Sequence, residues 1–187
     1  MKLLLLSTAF LLATTTAQAD VVTDQLTAAE EAYAAGDLAA ASAALKTAMD
    51  DIGRQRGAIL AAILPPAPPG YTREDSTDFT AGMAMFGGGS GAEAAYVQGD
   101  TRFTVSIMAD NELVGGMLGM FSDPGMMAMM GTVEAVGDVS IITAEDGSIM
   151  SIVGGRYMIS AQGAAPEVML PVVRSIDFAK LTEMAGQ

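Results

Sequence analysis

Residues 132–161, with the sequence TVEAVGDVSIITAEDGSIMSIVGGRYMISA, decide the fold of this chain. Four short runs typical of β-strands follow one another at close spacing, at Thr132–Val136, Val139–Thr143, Ser148–Val153 and Arg156–Ala161. The residue pairs between them all favour tight hairpin turns, namely Gly137-Asp138, Asp146-Gly147 and Gly154-Gly155. The stretch therefore predicts four antiparallel strands in a meander.

Upstream of this meander, alternating apolar and polar residues predict a further hairpin. Its strands are Glu93–Gln98 and Thr101–Ala109, and the turn between them is Gly99-Asp100. A strand at 78–86 and a flexible glycine-rich loop at 87–91 are expected before it. Helices are expected at three places, over 111–121 with Asp110 or Asn111 as the cap, over 124–130, and from Pro166 onward.

The order of hairpin, helix, meander and helix predicts an α+β fold over residues 71–187, an antiparallel sheet with packed helices. This order is similar to that of the Mog1/PsbP-like class of small exported modules, over roughly residues 70–185. The resemblance implies a non-catalytic binding or assembly factor. It rests on element order and not on a motif, so it assigns no site residues.

Residues 20–64 predict an N-terminal helical hairpin ahead of this module. Thr23 is expected to cap the first helix, Gly36 to end it and Asp37 to cap the second. The segment resembles one tetratricopeptide repeat at Tyr33, Gly36, Asp37, Leu38, Ala41, Leu45 and Ala48. Such arrays need about three repeats to bury a core, so this hairpin is expected to lean on the rest of the chain or on a partner. A helical hairpin without any peptide-binding role is the alternative interpretation.

Residues 65–70, with four prolines and a glycine, predict an extended polyproline linker between the hairpin and the module. Proline cannot continue a helix, so the second helix is expected to end before this segment. With the domain boundary placed here, residues 70–187 are expected to fold without the hairpin.

Residues 1–19 have the features of a cleavable secretory signal peptide. Lys2 precedes the apolar run Leu3–Leu12, and Ala17-Gln18-Ala19 has the pattern of a cleavage site. The apolar run is about half of the roughly 20 residues that span a bilayer. We expect cleavage after Ala19 and a periplasmic or secreted protein with no membrane span.

The composition excludes several kinds of chemistry. The chain has no cysteine and no histidine, which excludes disulfides, thiol redox chemistry and Ser-His-Asp or Cys-His catalysis. It has 22 acidic and 9 basic residues and a net charge of −13, so nucleic acid and anionic membrane surfaces repel it. We therefore expect no nucleic-acid partner.

Methionine is the unusual residue type, with 15 copies of which six lie within residues 117–130. The candidate interaction site is the group after Asp123-Pro124, namely Met126, Met127, Met129 and Met130. Neighbours on a helix diverge by about 100°, so some of these side chains are expected to face solvent or a partner. Thioethers bind Cu(I) without histidine. Methionine also fills irregular cores and scavenges oxidants, and the spacing does not separate these roles.

Catalytic motifs are weak in this sequence. The glycine-rich stretch has no Lys-Ser/Thr of a phosphate loop, and Ser90 has no histidine to activate it. Glu93, Asp110 and Glu112 are candidates for a hydrolytic carboxylate pair, although their spacing does not require one. The sequence predicts a non-enzymatic exported binding or assembly module, without a resident cofactor, that recognises a protein or an apolar ligand. The alternatives are a Cu(I)-binding protein and a hydrolase with a carboxylate pair.

Overall fold

The computed structural model describes residues 20–83 and 88–186. The signal peptide predicted at 1–19 lies outside these residues. By its internal contacts the chain divides into two compact units, one up to Ala48 and one from Met49 onward. Within the described ranges, no helix combines the length and apolar character that crossing a membrane requires.

The first unit is helical, as predicted. Helix α1 runs over Val21–Ala34, and helix α2, Leu38–Ala61, begins in this unit. Asp20 and not Thr23 caps α1, because its carboxylate accepts the backbone N–H of Thr23 at 2.9 Å. Gly36 has φ +78° in the turn, and Asp37 caps α2 by accepting the backbone N–H of Ala40.

Small residues are buried in the first unit and large apolar ones are exposed. The buried side chains are those of Ala29, Ala41 and Ala48. Four large apolar side chains are 48–70% exposed, those of Leu26, Tyr33, Leu38 and Leu45. The large apolar residues of this unit therefore lie mostly at its surface.

The second unit contains a seven-stranded antiparallel sheet with the strand order β1-β2-β3-β7-β6-β5-β4. The strands are β1 Thr72–Asp75, β2 Ser90–Gln98, β3 Thr101–Ala109, β4 Gly131–Val136, β5 Val139–Ala144, β6 Ile149–Val153 and β7 Tyr157–Gln162. The hairpin β2–β3 and the meander β4–β7 are both confirmed. Strand β7 returns to pair with β3, so the meander closes onto the hairpin. The α+β fold class with an N-terminal helical hairpin is therefore confirmed.

Five helices accompany the sheet, α3 Phe79–Met83, α4 Glu112–Ser122, α5 Pro124–Met130, α6 Pro166–Arg174 and α7 Phe178–Ala185. The strand predicted at 78–86 is wrong, since α3 occupies part of this range. Phe79 and Met83, one helical turn apart, lie so close to Gly91 that a Cβ there would be 2.7 Å and 2.8 Å from them. Gly91 itself lies in β2 and not in the predicted flexible loop.

The main core lies on one face of the sheet. Successive strand residues point to opposite faces, and Phe103, Ile107 and Ile159 are buried on this one beneath α6 and α7. The last turns of α2 cover the same core with Leu60, Ile63 and Leu64. The opposite face carries other buried residues, such as Ile142 and Met158.

The boundary between the units differs from the predicted one. Pro65, in the predicted linker, is buried, and its carbonyl accepts a hydrogen bond from the Tyr96 hydroxyl. Arg73 donates to three main-chain carbonyls at the end of α2, those of Ala61, Leu64 and Pro65. The start of the proline segment is thus attached to the sheet, and the division lies at 48/49 because the second half of α2 belongs to the core.

Candidate functional site

Three residues at strand ends form a row across the sheet. Ser90 of β2 pairs in register with Ala109 of β3, which pairs in turn with Tyr157 of β7. Their side chains lie on the face of the main core, since residues two apart on a strand share a face. Because alanine is the smallest of the three, space remains above it between the other two side chains.

A cavity of about 180 Å³ occupies this space. It is lined by Arg56, Ile59 and Leu60 of α2, by Ser90, Ala109, Arg156 and Tyr157, and by Met184 of α7. Most of this lining is apolar, with a few polar groups, as in known ligand sites. The volume is below the roughly 300–1,000 Å³ of sites for drug-sized molecules, so the cavity fits a small ligand or one end of a longer one.

Ser90 contributes an unsatisfied polar group to this cavity. Its side chain is buried, with 1% of the residue exposed. Within residues 20–83 and 88–186, its Oγ is the one buried side-chain nitrogen or oxygen atom that lacks a hydrogen-bond partner. A buried polar group without a partner costs about 1–3 kcal/mol. The hydroxyl is therefore a group that a bound ligand would satisfy.

Two guanidinium groups in the cavity lining meet at one carboxylate. Arg156 Nε donates to Asp110 Oδ1 at 2.8 Å, and Arg156 Nη2 lies 3.5 Å from Oδ2. Arg56 Nη2 donates to the same Oδ2. This hydrogen bonding with Asp110 raises the pKa of Arg156, so the guanidinium stays charged.

Two further contacts fix the position of Arg156. Its Nη1 donates to the main-chain carbonyl of Met184 at 3.2 Å. Its Cζ lies 5.7 Å from the ring centroid of Tyr157, within the range of a cation–π interaction. The guanidinium is therefore held by α7, by β7 and by Asp110 together, beside the cavity.

The pairing of these two arginines is unlike that of the others. The chain has six arginines, all of them in the described residues. Four of them pair with a carboxylate of their own, as Arg54–Asp51, Arg73–Asp75, Arg102–Glu74 and Arg174–Glu134. Arg56 and Arg156 share Asp110. These three side chains together carry one net positive charge, in a protein whose net charge is −13.

Asp110 has an unusual backbone conformation. Its φ is +54°, and in the described part of the chain it is the one residue other than glycine with a positive φ. Aspartate and asparagine adopt this left-handed region more readily than other residues do, at a cost of about 1–2 kcal/mol. The prediction that Asp110 or Asn111 caps α4 resolves in favour of Asn111, whose side chain accepts the N–H of Leu113.

The predicted methionine site is divided between interior and surface. Met127 is buried with 9% exposed, whereas Met126 is 43% and Met129 84% exposed. Met126 and Met129, three residues apart, share an exposed side of α5, whereas Met127 is buried and Met130, three residues after it, is half-buried. The four side chains therefore do not form one surface. Their role as an interaction or copper site stays a prediction.

The structure separates Glu93 from Asp110, two of the candidate carboxylates. Glu93 is the register partner of Ser106, about 13 Å of strand before Asp110, and lies on the sheet face opposite Ser90. Burial raises the pKa of Glu93, while Asp110 is paired with two arginines. Glu112 is exposed in the first turn of α4. Glycosidases hold their two carboxyl groups within about 5–9.5 Å of each other.

Among the described residues, no group of three acidic side chains is placed to hold a metal ion.

Reasoning from the sequence missed Arg56 and Arg156, which lie a hundred residues apart. It singled out Asp110 only as a cap or a catalytic acid, and Ser90 only as a nucleophile that lacks a base. The available signal was the scarcity of basic residues, nine against 22 acidic ones, which makes each arginine a candidate for closer inspection.

The fold and the cavity define an α+β protein with an arginine-lined cavity at one end of its antiparallel sheet. The chain has no significant match among protein families, curated proteins or solved structures. The resemblances to a tetratricopeptide repeat and to the Mog1/PsbP-like class therefore stay predictions.

Proposed function

We propose that the protein is an exported, non-enzymatic binding module that takes a small ligand, or the end of a protein segment, into the cavity beside Ala109. The observation that carries this proposal is the buried Ser90 hydroxyl, which has no hydrogen-bond partner. It lies in a cavity lined mostly by apolar side chains and by two arginines. A protein interior normally satisfies such a group. A ligand that hydrogen-bonds to it would regain the free energy that its burial costs.

Export is supported by the sequence of residues 1–19 alone. The apolar run and the Ala17-Gln18-Ala19 pattern are typical of a cleaved signal peptide. The absence of cysteine is compatible with an oxidising compartment, because the buried sheet core needs no disulfide for stability. We therefore propose a periplasmic or secreted location.

Binding without catalysis is supported by the groups that line the cavity. Ser90 supplies a hydroxyl there, and among the described residues that line the cavity there is no histidine, lysine or carboxylate to serve as its base. The nearby carboxylate of Asp110 accepts hydrogen bonds from Arg56 and Arg156. Both oxygens of this carboxylate are therefore already engaged with guanidinium groups.

The protein-binding half of the proposal has separate support in the first unit. Its exposed apolar side chains include those of Leu26, Tyr33 and Leu38. Large apolar side chains grouped on a surface mark protein contacts more often than scattered ones do.

The experiment is a ligand screen by NMR on residues 20–187, with wild type and two alanine-to-leucine variants. Ala109→Leu fills the cavity, whereas Ala135→Leu adds the same side chain at an exposed position of β4. We expect compounds that bind wild type and Ala135→Leu but not Ala109→Leu. A screen in which no compound distinguishes the two variants contradicts the proposal, and turnover of a bound compound contradicts its non-enzymatic part.

Ala109→Leu enlarges a buried residue and could lose binding because it misfolds. A second variant separates this effect from loss of the site. Ser90→Ala removes one buried hydroxyl and leaves the volume of the site nearly unchanged. We expect this variant to be as stable as wild type or slightly more stable, because the lost group has no partner. Weaker binding of the same compounds by Ser90→Ala then identifies the hydroxyl as a ligand contact.

A further inference from the structure

We infer that the ligand of this cavity is a monocarboxylate with an apolar substituent, and that Arg56 and Arg156 bind its carboxylate. This inference rests on the proposed function and adds the chemical class of the ligand. Its basis is the sharing of one acidic partner by two arginines beside a mostly apolar cavity.

The net positive charge of the site favours a ligand that brings one negative charge. Asp110 neutralises one of the two guanidinium charges and leaves one in excess. Each of the other four arginines has a carboxylate of its own. A ligand with a single negative charge would complete the pairing, whereas a phosphate dianion would leave the site with one net negative charge.

The hydrogen-bond donors of the site also have capacity to spare. A guanidinium carries five N–H donors in a planar fork. Arg56 uses its Nη2 toward Asp110, and among the described residues it has no other hydrogen-bond acceptor. Arg156 already donates to the Asp110 carboxylate through Nε and Nη2. The free edge of Arg56 therefore offers the paired donors that a second carboxylate accepts.

The rest of the cavity selects an apolar substituent. Ile59, Leu60 and Met184 line the space next to the arginines, and Ala109 forms its floor. A volume of about 180 Å³ accommodates a short aliphatic chain and no large ring system. Ser90, at the opposite side of the floor from Tyr157, is placed to bond one polar group of the same ligand.

Two sources supply this chemistry, a free short-chain carboxylic acid and the C-terminal carboxylate of a polypeptide that ends in an aliphatic residue. The test is calorimetric titration of residues 20–187 with two matched pairs of probes. One pair is 4-methylpentanoate and 4-methylpentanamide. The other is an N-acetylated tripeptide that ends in leucine, with a free or an amidated C-terminus. We expect the acid of at least one pair to bind about tenfold or more tightly than its amide.

Arginine variants locate the binding. Arg56→Gln and Arg156→Gln are each expected to weaken binding of the acid about tenfold or more and to leave binding of the amide unchanged. Arg174→Gln is the matched control, because Arg174 pairs with Glu134 at the surface, and it should bind as wild type does. Asp110→Asn removes the competing carboxylate and keeps a residue that tolerates a positive φ. We expect it to bind the acid several-fold more tightly.

Failure of the carboxylate assignment can be told apart from failure of the proposed function. If acid and amide bind equally and Ala109→Leu abolishes both, the cavity binds ligands and the carboxylate assignment is wrong. If inorganic phosphate binds more tightly than either acid, the site serves another anion and the assignment is also overturned. If neither acid binds up to millimolar concentration, the assignment is wrong whatever other ligands the cavity accepts. If none of the probes or screened compounds responds to Ala109→Leu or Ser90→Ala, the proposed function itself fails.

Discussion

The Tyr96 hydroxyl donates a hydrogen bond of 2.7 Å to the main-chain carbonyl of Pro65, at a side chain that solvent does not reach. The bond joins the middle of strand β2 to the first proline after α2. Its presence makes the end of α2 and the start of the proline segment part of the sheet domain. The shortest part of the chain that keeps this core therefore begins before the prolines.

We predict that residues 49–187 fold cooperatively and that residues 71–187 do not. The shorter fragment lacks Leu60, Ile63 and Leu64, and burial of each contributes about 1.5–3 kcal/mol. The combined loss is comparable to the roughly 5–15 kcal/mol of a whole domain. Urea unfolding followed by circular dichroism compares the two fragments with residues 20–187. A cooperative transition of 71–187 with an unchanged midpoint would show that α2 is dispensable.

The Tyr96 bond also predicts how stability changes at high pH. Burial raises the pKa of Tyr96 from 10.0 to about 12, and the positive charge of Arg73 opposes this only in part. A raised pKa means that the folded state disfavours the phenolate. The contribution of the neutral Tyr96 hydroxyl to the free energy of unfolding is therefore complete below pH 10, and it is lost as the pH rises toward 12. The total change is on the order of 2 kcal/mol.

The measurement is the free energy of unfolding in urea at several pH values for wild type and Tyr96→Phe. The variant should be about 1 kcal/mol less stable near neutral pH, since a buried hydrogen bond is lost. Between pH 10 and pH 12 its stability should fall less steeply than that of wild type. Parallel curves for the two proteins would contradict the assignment of this titration to Tyr96.

Arg73 should matter more for stability than an exposed arginine does, since its side chain is largely buried. Its guanidinium donates at 2.6–3.0 Å to the carbonyls of Ala61, Leu64 and Pro65, which no later turn of helix can satisfy. We predict that Arg73→Met costs about 3 kcal/mol, the cost of leaving such acceptors without a charged donor. Arg102→Met is the control. It breaks an exposed pair with Glu74 and should cost less than about 1 kcal/mol.

The methionines of α5 should separate into a buried residue, Met127, a half-buried one, Met130, and two exposed ones, Met126 and Met129. We predict that Met127→Ala costs about 2–5 kcal/mol, as truncation of a buried methionine does. Met129→Ala should change stability by less than about 0.5 kcal/mol. Chemical denaturation of the two variants decides this. Equal effects would mean that α5 does not pack as described.

Variants of α5 also test whether its methionines bind Cu(I). A triple variant with leucine at positions 126, 129 and 130 removes the three thioethers of α5 that are exposed or half-buried and keeps these positions apolar. Met127→Leu is the matched control, since Met127 is buried. If the chain binds Cu(I), titration under reducing conditions should show the loss of binding in the triple variant alone. Wild-type binding with no loss in the triple variant would place the copper elsewhere.

The β segments were predictable because their information is local. Pairs such as Gly137-Asp138 set each turn within two residues, and the strands on either side need no distant contact to be recognised. The range 78–86 was not predictable in this way. Five residues carry too little periodicity to separate helix from strand, and the contact of Phe79 and Met83 with Gly91 decides the outcome.

The proline segment shows a different limit. Its prolines correctly predict where α2 ends, because this depends on the backbone of the segment itself. Attachment to the sheet depends on Tyr96, some thirty residues further on, and on Arg73. The cavity could not be predicted for the same reason, since its lining needs Arg56 and Arg156, which lie a hundred residues apart in the sequence.

The row of Ser90, Ala109 and Tyr157 has a consequence for the order in which this protein folds. The β3–β7 ladder that joins Ala109 to Tyr157 also pairs Val105 with Ala161, more than fifty residues later in the chain. Closing so long a loop costs more entropy than closing the hairpins of the meander, so this ladder should form late. A chain arrested with its hairpins complete and this ladder open would contain both arginines and the unpaired hydroxyl without holding them together. Ligand binding at the cavity would then report the last step of folding, a signal that secondary-structure content alone does not give.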